Sequence, residues 1–304
     1  MSGTVLILGA SGRFGSHTAE AFWNAGWRVR VFDRNGGDLS KAAKGADVIV
    51  NGWNPPYHHW KRQVPALTDK VIGAAKSSGA TVIIPGNNYG YGPGMPPLIT
   101  SDTPQCAINP LGRIRIAMER AYRAAGVRTI VVRAGDFIDT KSSGNWFDLV
   151  ITAKLAKGKV VAPGDLTMAH AWAYLPDLAR ATVELAAKRD MLNPFHEVLY
   201  PGFTLSMAEI SQLIETARGE DLTLTRMSWA PLWALAPVWP KARKLIEMRY
   251  LWDTPHALDG TDFDRLLPRF RMTDPLTAIA SAVGQGDIHP DQSMARGNLD
   301  IAAE

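Results

Sequence analysis

The stretch TVLILGASGRFG, residues 4–15, decides how the rest of the chain is read. Thr4–Leu8 is an uninterrupted apolar run, the pattern of a strand buried on both faces. Gly9, Gly12 and Gly15 follow it at once, in the spacing GxxGxxG rather than GxGxxG, and a helical stretch runs from Arg13 to Ala25. A strand, a glycine turn and a helix in that order form a site for a dinucleotide. Gly9 allows the tight turn, Gly12 lets the backbone approach a pyrophosphate, and Gly15 lets the helix pack close to the sheet. The start of the helix then offers free N–H groups and a partial positive charge to the phosphates. Ser11 and Arg13 are expected to add side-chain donors, with Phe14 completing the loop.

Working outward, strands and helices alternate. Strands are expected at Val29–Phe32, Asp47–Asn51, Thr81–Pro85 and Thr129–Arg133, with helices near Leu39–Ala43, Lys61–Ser78 and Leu111–Ala125. This alternation predicts an α/β fold with a doubly wound parallel sheet. Further on, helices are expected at Asn145–Ala156, Pro176–Lys188 and through Ile210 to Arg218, the last capped by Thr204 or Ser206. Strands are expected at Trp172–Leu175 and His196–Tyr200. Residues 1–190 therefore read as the dinucleotide-binding domain, with its core motifs in 4–135. Residues 191–284 read as a smaller, mostly helical substrate region interleaved with the first, and 285–304 as a polar tail.

Asp33 ends the second strand, where a carboxylate can accept hydrogen bonds from both adenosine ribose hydroxyls and repel a 2′-phosphate. That favours NAD. Arg34 beside it can pair with such a phosphate and keeps NADP open.

Composition narrows the function classes. Hydrophobic residues make up 46% and charged residues 20%, ordinary for a globular chain with a sizeable core. The single cysteine, Cys106, excludes an internal disulfide and a multi-cysteine metal site, and no metal is expected. The 33 basic residues against 29 acidic ones are scattered, so no nucleic-acid partner is expected. No stretch approaches the ~20 apolar residues of a membrane span, so no membrane partner is expected either. The opening MSGTVLILGASG does not read as a secretory leader, which sets the expectation of a cytoplasmic protein.

With these motifs in hand, the chain resembles the extended short-chain dehydrogenase/reductase superfamily, and most its NAD-dependent epimerase/dehydratase-like members. The resemblance rests on GASGRFG, VRVFD, ADVIVNGWNPPY, IIPGNNYGYGP, NPLGRIRIAMER, TIVVRAGDF and AYLPDLARA, in that order over about residues 4–185. It implies a Rossmann fold and a bound nicotinamide dinucleotide lined by Asn51, Gly52, Trp53 and Pro85. It also implies a YxxxK pair on the helix after the long loop. Here the matching positions are Leu111 and Arg115. Leu111 has no proton to give; Arg115 keeps a charge able to bind ribose or phosphate but does not cycle a proton. The family's Ser/Thr falls near Pro85–Asn87, with Asn87 as the polar substitute.

A catalytic proton must then come from elsewhere. Tyr89 and Tyr91, beyond the fourth strand, are the candidates, with Arg115 expected to lower their pKa. Tyr57, His58 and His59 sit at the rim of the same cleft. Arg133 and Asp136 follow the fifth strand and are expected to contact substrate or pair with each other. Asp177 is explained by its place in the first turn of a helix. His256 shows no partner pattern, and Trp229, Trp233 and Trp239 are read as core, with a lid or a homodimer surface as the alternative. Two functions remain open: an NAD(P)-dependent oxidoreductase or epimerase-like enzyme on a small carbonyl or hydroxyl substrate, and a non-catalytic dinucleotide sensor similar to the NmrA-like regulators.

Overall fold

The computed structural model describes residues 3–33 and 37–284; Arg34 and the tail 285–304 lie outside the described residues. Strand β1 (Thr4–Leu8) leads into α1 (Arg13–Asn24), β2 (Arg28–Phe32), α2 (Leu39–Ala43) and β3 (Val48–Asn51). A 3₁₀ turn at Tyr57–His59 opens α3 (Trp60–Ser78), followed by β4 (Thr81–Gly86), β5 (Leu98–Ile99), α4 (Pro110–Ala125) and β6 (Thr129–Arg133). Then come β7 (Asp136–Ile138), β8 (Lys159–Ala162), β9 (His170–Tyr174), α5 (Leu175–Ala187) and β10 (Phe195–Leu199). The last part holds β11 (Phe203–Leu205), α6 (Met207–Arg218), β12 (Thr223–Arg226), α7 (Ala230–Leu235) and α8 (Pro240–Glu247). It ends with β13 (Ala257–Leu258), α9 (Thr261–Leu266) and α10 (Pro275–Ala282).

Six strands form the main sheet in the order β10-β6-β4-β3-β1-β2. Every pairing in it is parallel. The period-2 alternation of a strand sorts its side chains between two cores. Val5, Ile7, Val48, Val50, Ile83 and Ile130 pack with α1 and α5. Leu6, Leu8, Ile49, Val82, Ile84 and Val131 pack under α3 and α4. Burial on both faces is why these strands read as continuous apolar runs. The winding reverses between β1 and β3, so a cleft opens at their carboxyl ends.

The remaining elements depart more from expectation. The stretch expected as a helix over 145–156 is a wide π turn at Phe147–Ile151 followed by a 3₁₀ turn at Leu155–Lys157. The amide and hydroxyl of Thr152 both donate to Phe147 O at 2.8 Å, which closes the wide turn and stops it propagating. Besides the expected strands at Trp172–Leu175 and His196–Tyr200, the region after β6 holds further short strands. A three-stranded sheet β11-β9-β7 and a parallel pair β12-β8 enclose a third core with Phe147, Trp172, Ile210, Trp229 and Trp252. Of Trp229, Trp233 and Trp239 only Trp229 is core; Trp233 on α7 and Trp239 at the start of α8 are exposed. Ser206 caps α6 in a reciprocal box with Glu209, as one of the two expected caps. Among the described residues no helix is long and apolar enough to cross a membrane.

One ion network joins β6, β10, α4 and the loop after β4. Arg133 is fully buried and does not pair with Asp136. Its Nη2 donates to Glu119 Oε2 at 2.7 Å, its Nε to Glu197 Oε1, and its Nη1 to the Asn87 carbonyl. Gln105 donates to the same Glu119 oxygen at 2.7 Å. Burial alone would raise the Glu119 pKa, but Arg133 and Arg115 beside it hold it below the usual range. Asp177 is likewise more than a dipole partner: buried, it accepts from Thr273 N at 2.5 Å and Thr273 Oγ1 at 2.9 Å, pinning the approach to α10 onto α5.

Replacing Arg133 by methionine strands the buried carboxylate of Glu119 and the half-buried one of Glu197. We expect Arg133→Met to cost about 3–5 kcal/mol in urea denaturation at neutral pH. Glu119 has a depressed pKa, so its stabilisation is present above the unfolded pKa of about 4.3 and is lost as pH falls through the lower folded value. The stability deficit of the variant should therefore shrink toward acid pH; a deficit independent of pH would contradict this assignment.

Candidate functional site

The glycine loop is built by mutual contact among glycines. Gly9 has φ of +77°, which favours glycine, and a Cβ there would stand 3.2 Å from Gly52 and from the Trp53 ring. A Cβ on Gly15 would run into the Gly9 carbonyl, and one on Gly52 would come within 2.8 Å of the Leu8 carbonyl. Gly12 differs. It is exposed, and its Cβ would meet only the Gly9 carbonyl, at 3.2 Å. Gly12 is the N-cap of α1, no side chain caps the helix, and its first turn holds no acidic residue. That leaves an electropositive helix start facing the open side of the loop.

Ser11 is exposed on the loop, while Phe14 is buried in the core beneath α1. Arg13 does not present its guanidinium to the loop as expected. Its Nε donates to the Ser143 carbonyl at 2.7 Å and its Nη2 to the Gly144 carbonyl, which tie it to the segment after β7.

Asp33 is exposed immediately after β2. Next to it a cleft of about 480 Å³ is lined by Phe32, Asp38, Leu39, Trp53, Leu67 and Lys70. The Phe32 and Trp53 rings meet edge-on, with centroids 5.9 Å apart. The Trp53 indole Nε1 is buried without a hydrogen-bond partner. Asn51 faces inward: its amide donates to Tyr122 Oη at 3.1 Å, and its Oδ1 accepts from Trp53 N at 3.2 Å.

At the ends of β3 and β4 the aromatic groups separate into two clusters. Tyr89 is buried, and its hydroxyl lies 2.6 Å from that of Tyr57, which also meets Trp60 edge-on. Arg115 lies 5.7 Å over the Trp60 ring and donates through Nη2 to the Pro85 carbonyl at 2.5 Å, leaving its buried Nε unpartnered. Tyr91 belongs elsewhere, donating to Glu197 Oε1 at 3.2 Å beneath Arg133. Asn87 turns its Oδ1 onto Tyr89 N at 3.2 Å and so fixes the start of that turn. Leu111 is fully buried; its amide donates to Glu247 Oε1 at 2.6 Å, so a carboxylate from α8 caps α4.

The expected acidification of the tyrosines by Arg115 does not occur. Burial dominates and raises the Tyr89 pKa well above its ordinary value, reinforced by Tyr57 and Asp136. Burial raises Tyr57 as well, against the hydrogen bond from Tyr89. Both phenols thus stay protonated. Burial also pulls the Arg115 pKa down, opposed by Glu119.

Asp136, electrostatically coupled to both phenols, accepts from His170 Nε2 at 2.8 Å. His170 stacks flat on Trp252, with centroids 4.4 Å apart and planes 2° from parallel. His256 meets His170 edge-on at 4.5 Å and donates from Nδ1 to Thr254 O at 2.9 Å. Burial, with His170 next to it, pushes His256 down to about 3, so it is neutral. His170, Trp252 and Glu247 drew no functional reading from sequence. They come from segments far from the glycine loop, and no local spacing marks them. Tyr57 carried one signal, its position just after β3.

No curated protein sequence matches the chain. Among solved structures it is similar to MoeE5 in complex with UDP-glucuronic acid and NAD, at 18% identity and a TM-score of 0.73, covering 92% of this chain and 98% of that one. It is also similar to UDP-glucuronic acid 4-epimerase from Bacillus cereus in complex with UDP-glucuronic acid and NAD, at 16% identity and a TM-score of 0.71, covering 92% and 97%. A third is UDP-glucose-4-epimerase from Stenotrophomonas maltophila with bound NAD and formylated UDP-arabinopyranose, at 14% identity and a TM-score of 0.72, covering 93% and 97%. These likenesses show the fold. A model of the NAD dependent epimerase/dehydratase family matches residues 5–198, and the chain belongs to that family.

Proposed function

We propose that the chain is an NAD-dependent, epimerase-like oxidoreductase acting on a hydroxyl or carbonyl of a small molecule. The observation that carries the reading is Gly12. Gly9, Gly15 and Gly52 are closed in by several backbone atoms where a Cβ would go, whereas at Gly12 a Cβ would meet one atom, the Gly9 carbonyl oxygen at 3.2 Å, and otherwise open space at an uncapped helix start. A pyrophosphate in that space accounts for a glycine at a position that packing presses on from one side only. Ser11 would then donate to the phosphates, Asp33 accept from the adenosine ribose, and the cleft between Phe32, Leu39 and Trp53 take the adenine. The buried Trp53 Nε1 and Arg115 Nε have no hydrogen-bond partner among the described residues and would be free to donate to a polar ligand. Residues 1–190 would hold the dinucleotide, with 191–284 completing the substrate side. The structural neighbours hold nucleotide sugars, which are the first substrates to screen.

The nicotinamide, when bound, supplies hydride transfer. The chain must move the proton. Position 111 does not contribute, since Leu111 is apolar and buried. The Tyr57–Tyr89 pair takes that role, as two phenols sharing a 2.6 Å contact beside Asp136 and His170. Held protonated by burial, the pair donates to a carbonyl oxygen; Asp136 is the group able to accept from a substrate hydroxyl. Tyr91, engaged with Glu197, positions the loop instead. The alternative of a non-catalytic dinucleotide-binding regulator is favoured by one observation, the burial of Leu111 where the family places its tyrosine.

Four measurements test this reading. Gly12→Val should abolish NADH binding in calorimetry while leaving the melting temperature of the free protein close to native. Native protein should bind NADH more tightly than NADPH, and Asp33→Ala should narrow that preference; tighter NADPH binding by the native chain would overturn the choice of cofactor. On a substrate found by screening, Tyr57→Phe and Tyr89→Phe should each cut turnover by roughly 10²-fold or more with cofactor affinity kept. Because both phenol pKa values are raised, the native reduction rate should not fall between neutral pH and pH of about 10, the free-phenol value. Tight NADH binding without turnover on any carbonyl or alcohol tested would favour the regulator.

A further inference from the structure

The longest uncharged stretch late in the chain is also its most exposed apolar one. Residues 227–240, MSWAPLWALAPVWP, contain no charged side chain. They form α7 and the turn into α8. Trp233 is 56% exposed, Leu235 45%, Val238 81% and Trp239 40%. Pro231, Pro237 and Pro240 are exposed among them, so the hairpin presents indoles, aliphatic groups and prolines to the outside. A patch of this kind is held against water unless something covers it.

The charge beside the patch has one sign. Lys241 and Arg243 are exposed on the first turn of α8. The acidic groups nearby are already engaged: Glu247 with Lys244 at 2.6 Å, and Asp253 with Arg249 at 3.5 Å. Indoles at a polar boundary, an apolar tip and a basic flank match the interface of an anionic bilayer. A second copy of the chain fits less well, because a two-fold contact through this patch brings Lys241 and Arg243 up to their own counterparts. The chain beyond Gly284 has no aromatic residue to set against Trp233 and Trp239.

We propose that the α7–α8 hairpin docks on the surface of membranes carrying anionic lipid, with Trp233, Leu235, Val238 and Trp239 inserted at the headgroup level and Lys241 and Arg243 against the lipid phosphates. The hairpin would lie on the membrane surface; among the described residues no helix is long and apolar enough to cross it. Because α8 packs against the Tyr57–His59 turn and caps α4, docking brings the carboxyl edge of the main sheet close to the bilayer.

The test is co-sedimentation of the full chain with vesicles of phosphatidylcholine and phosphatidylglycerol in equal parts, against pure phosphatidylcholine, with tryptophan fluorescence read on the same samples. The native chain should sediment with the anionic vesicles, shift its emission to the blue, and release as salt rises. The paired variant Trp233→Glu with Trp239→Glu should bind roughly tenfold or more weakly. So should Lys241→Glu with Arg243→Glu, which leaves the apolar tip intact. Melting temperatures near native confirm that these exposed positions leave the fold unchanged. Failure of the native chain to bind anionic vesicles overturns the proposal, as does undiminished binding by both variants. A concentration-dependent dimer in analytical ultracentrifugation that the tryptophan variant abolishes would assign the patch to a second copy and overturn it equally.

Discussion

The molecule depends on how closely α1 approaches the sheet. Gly9, Gly15 and Gly52 meet with only backbone between them, so the helix begins against the ends of β1 and β3. A single methyl on Gly15 would require the Gly9 turn or α1 to move. The opening of the cleft at the reversal of strand order, the outward direction of the α1 N–H groups and the freedom around Gly12 all follow from that approach. Arg13 reinforces it from the other side by tying the helix start to the segment after β7.

Burial then sorts the polar groups into structural and chemical ones. Arg133 sits at the junction of β6, β10 and α4 with two carboxylates and a carbonyl around it, and is fully occupied there. It draws Tyr91 into the same network through Glu197. Tyr89, two residues earlier, meets Tyr57 instead, within the electrostatic reach of Asp136. Adjacent turns of one loop thus serve different ends, and the difference lies in which long-range partner each phenol meets.

What the sequence made legible follows from the same physics. The strands of the main sheet are buried on both faces and carry their signal in their own residues, so Thr4–Leu8 and Thr129–Arg133 match the observed β1 and β6. The glycine loop was legible because its contacts are local or lie at strand ends. The strands β7, β8, β11 and β12 are only three or four residues long and pair with distant segments, as Thr223–Arg226 does with Lys159–Ala162, so no local pattern marks them. Trp233 and Trp239 misled because spacing gives a helical face but not what lies opposite it. The Tyr57–Tyr89 and Asp136–His170 contacts join residues 32 and 34 positions apart, beyond any helical or strand period.

The carboxylate of Glu247 on the amide of Leu111 makes α4 depend on α8. The helix has no cap from Asn109, its own N-cap residue, and takes one from a hairpin more than a hundred positions later in the chain. Any displacement of α8 must either break that contact or carry the first turn of α4 along, and Arg115 lies one turn further in. The hydrogen bond from Leu111 N to Glu247 is thus a direct mechanical link between the exposed hairpin and the helix that carries Arg115. A ligand that shifted α8 through this link would, by linkage, have its own binding shifted equally by whatever moves α4.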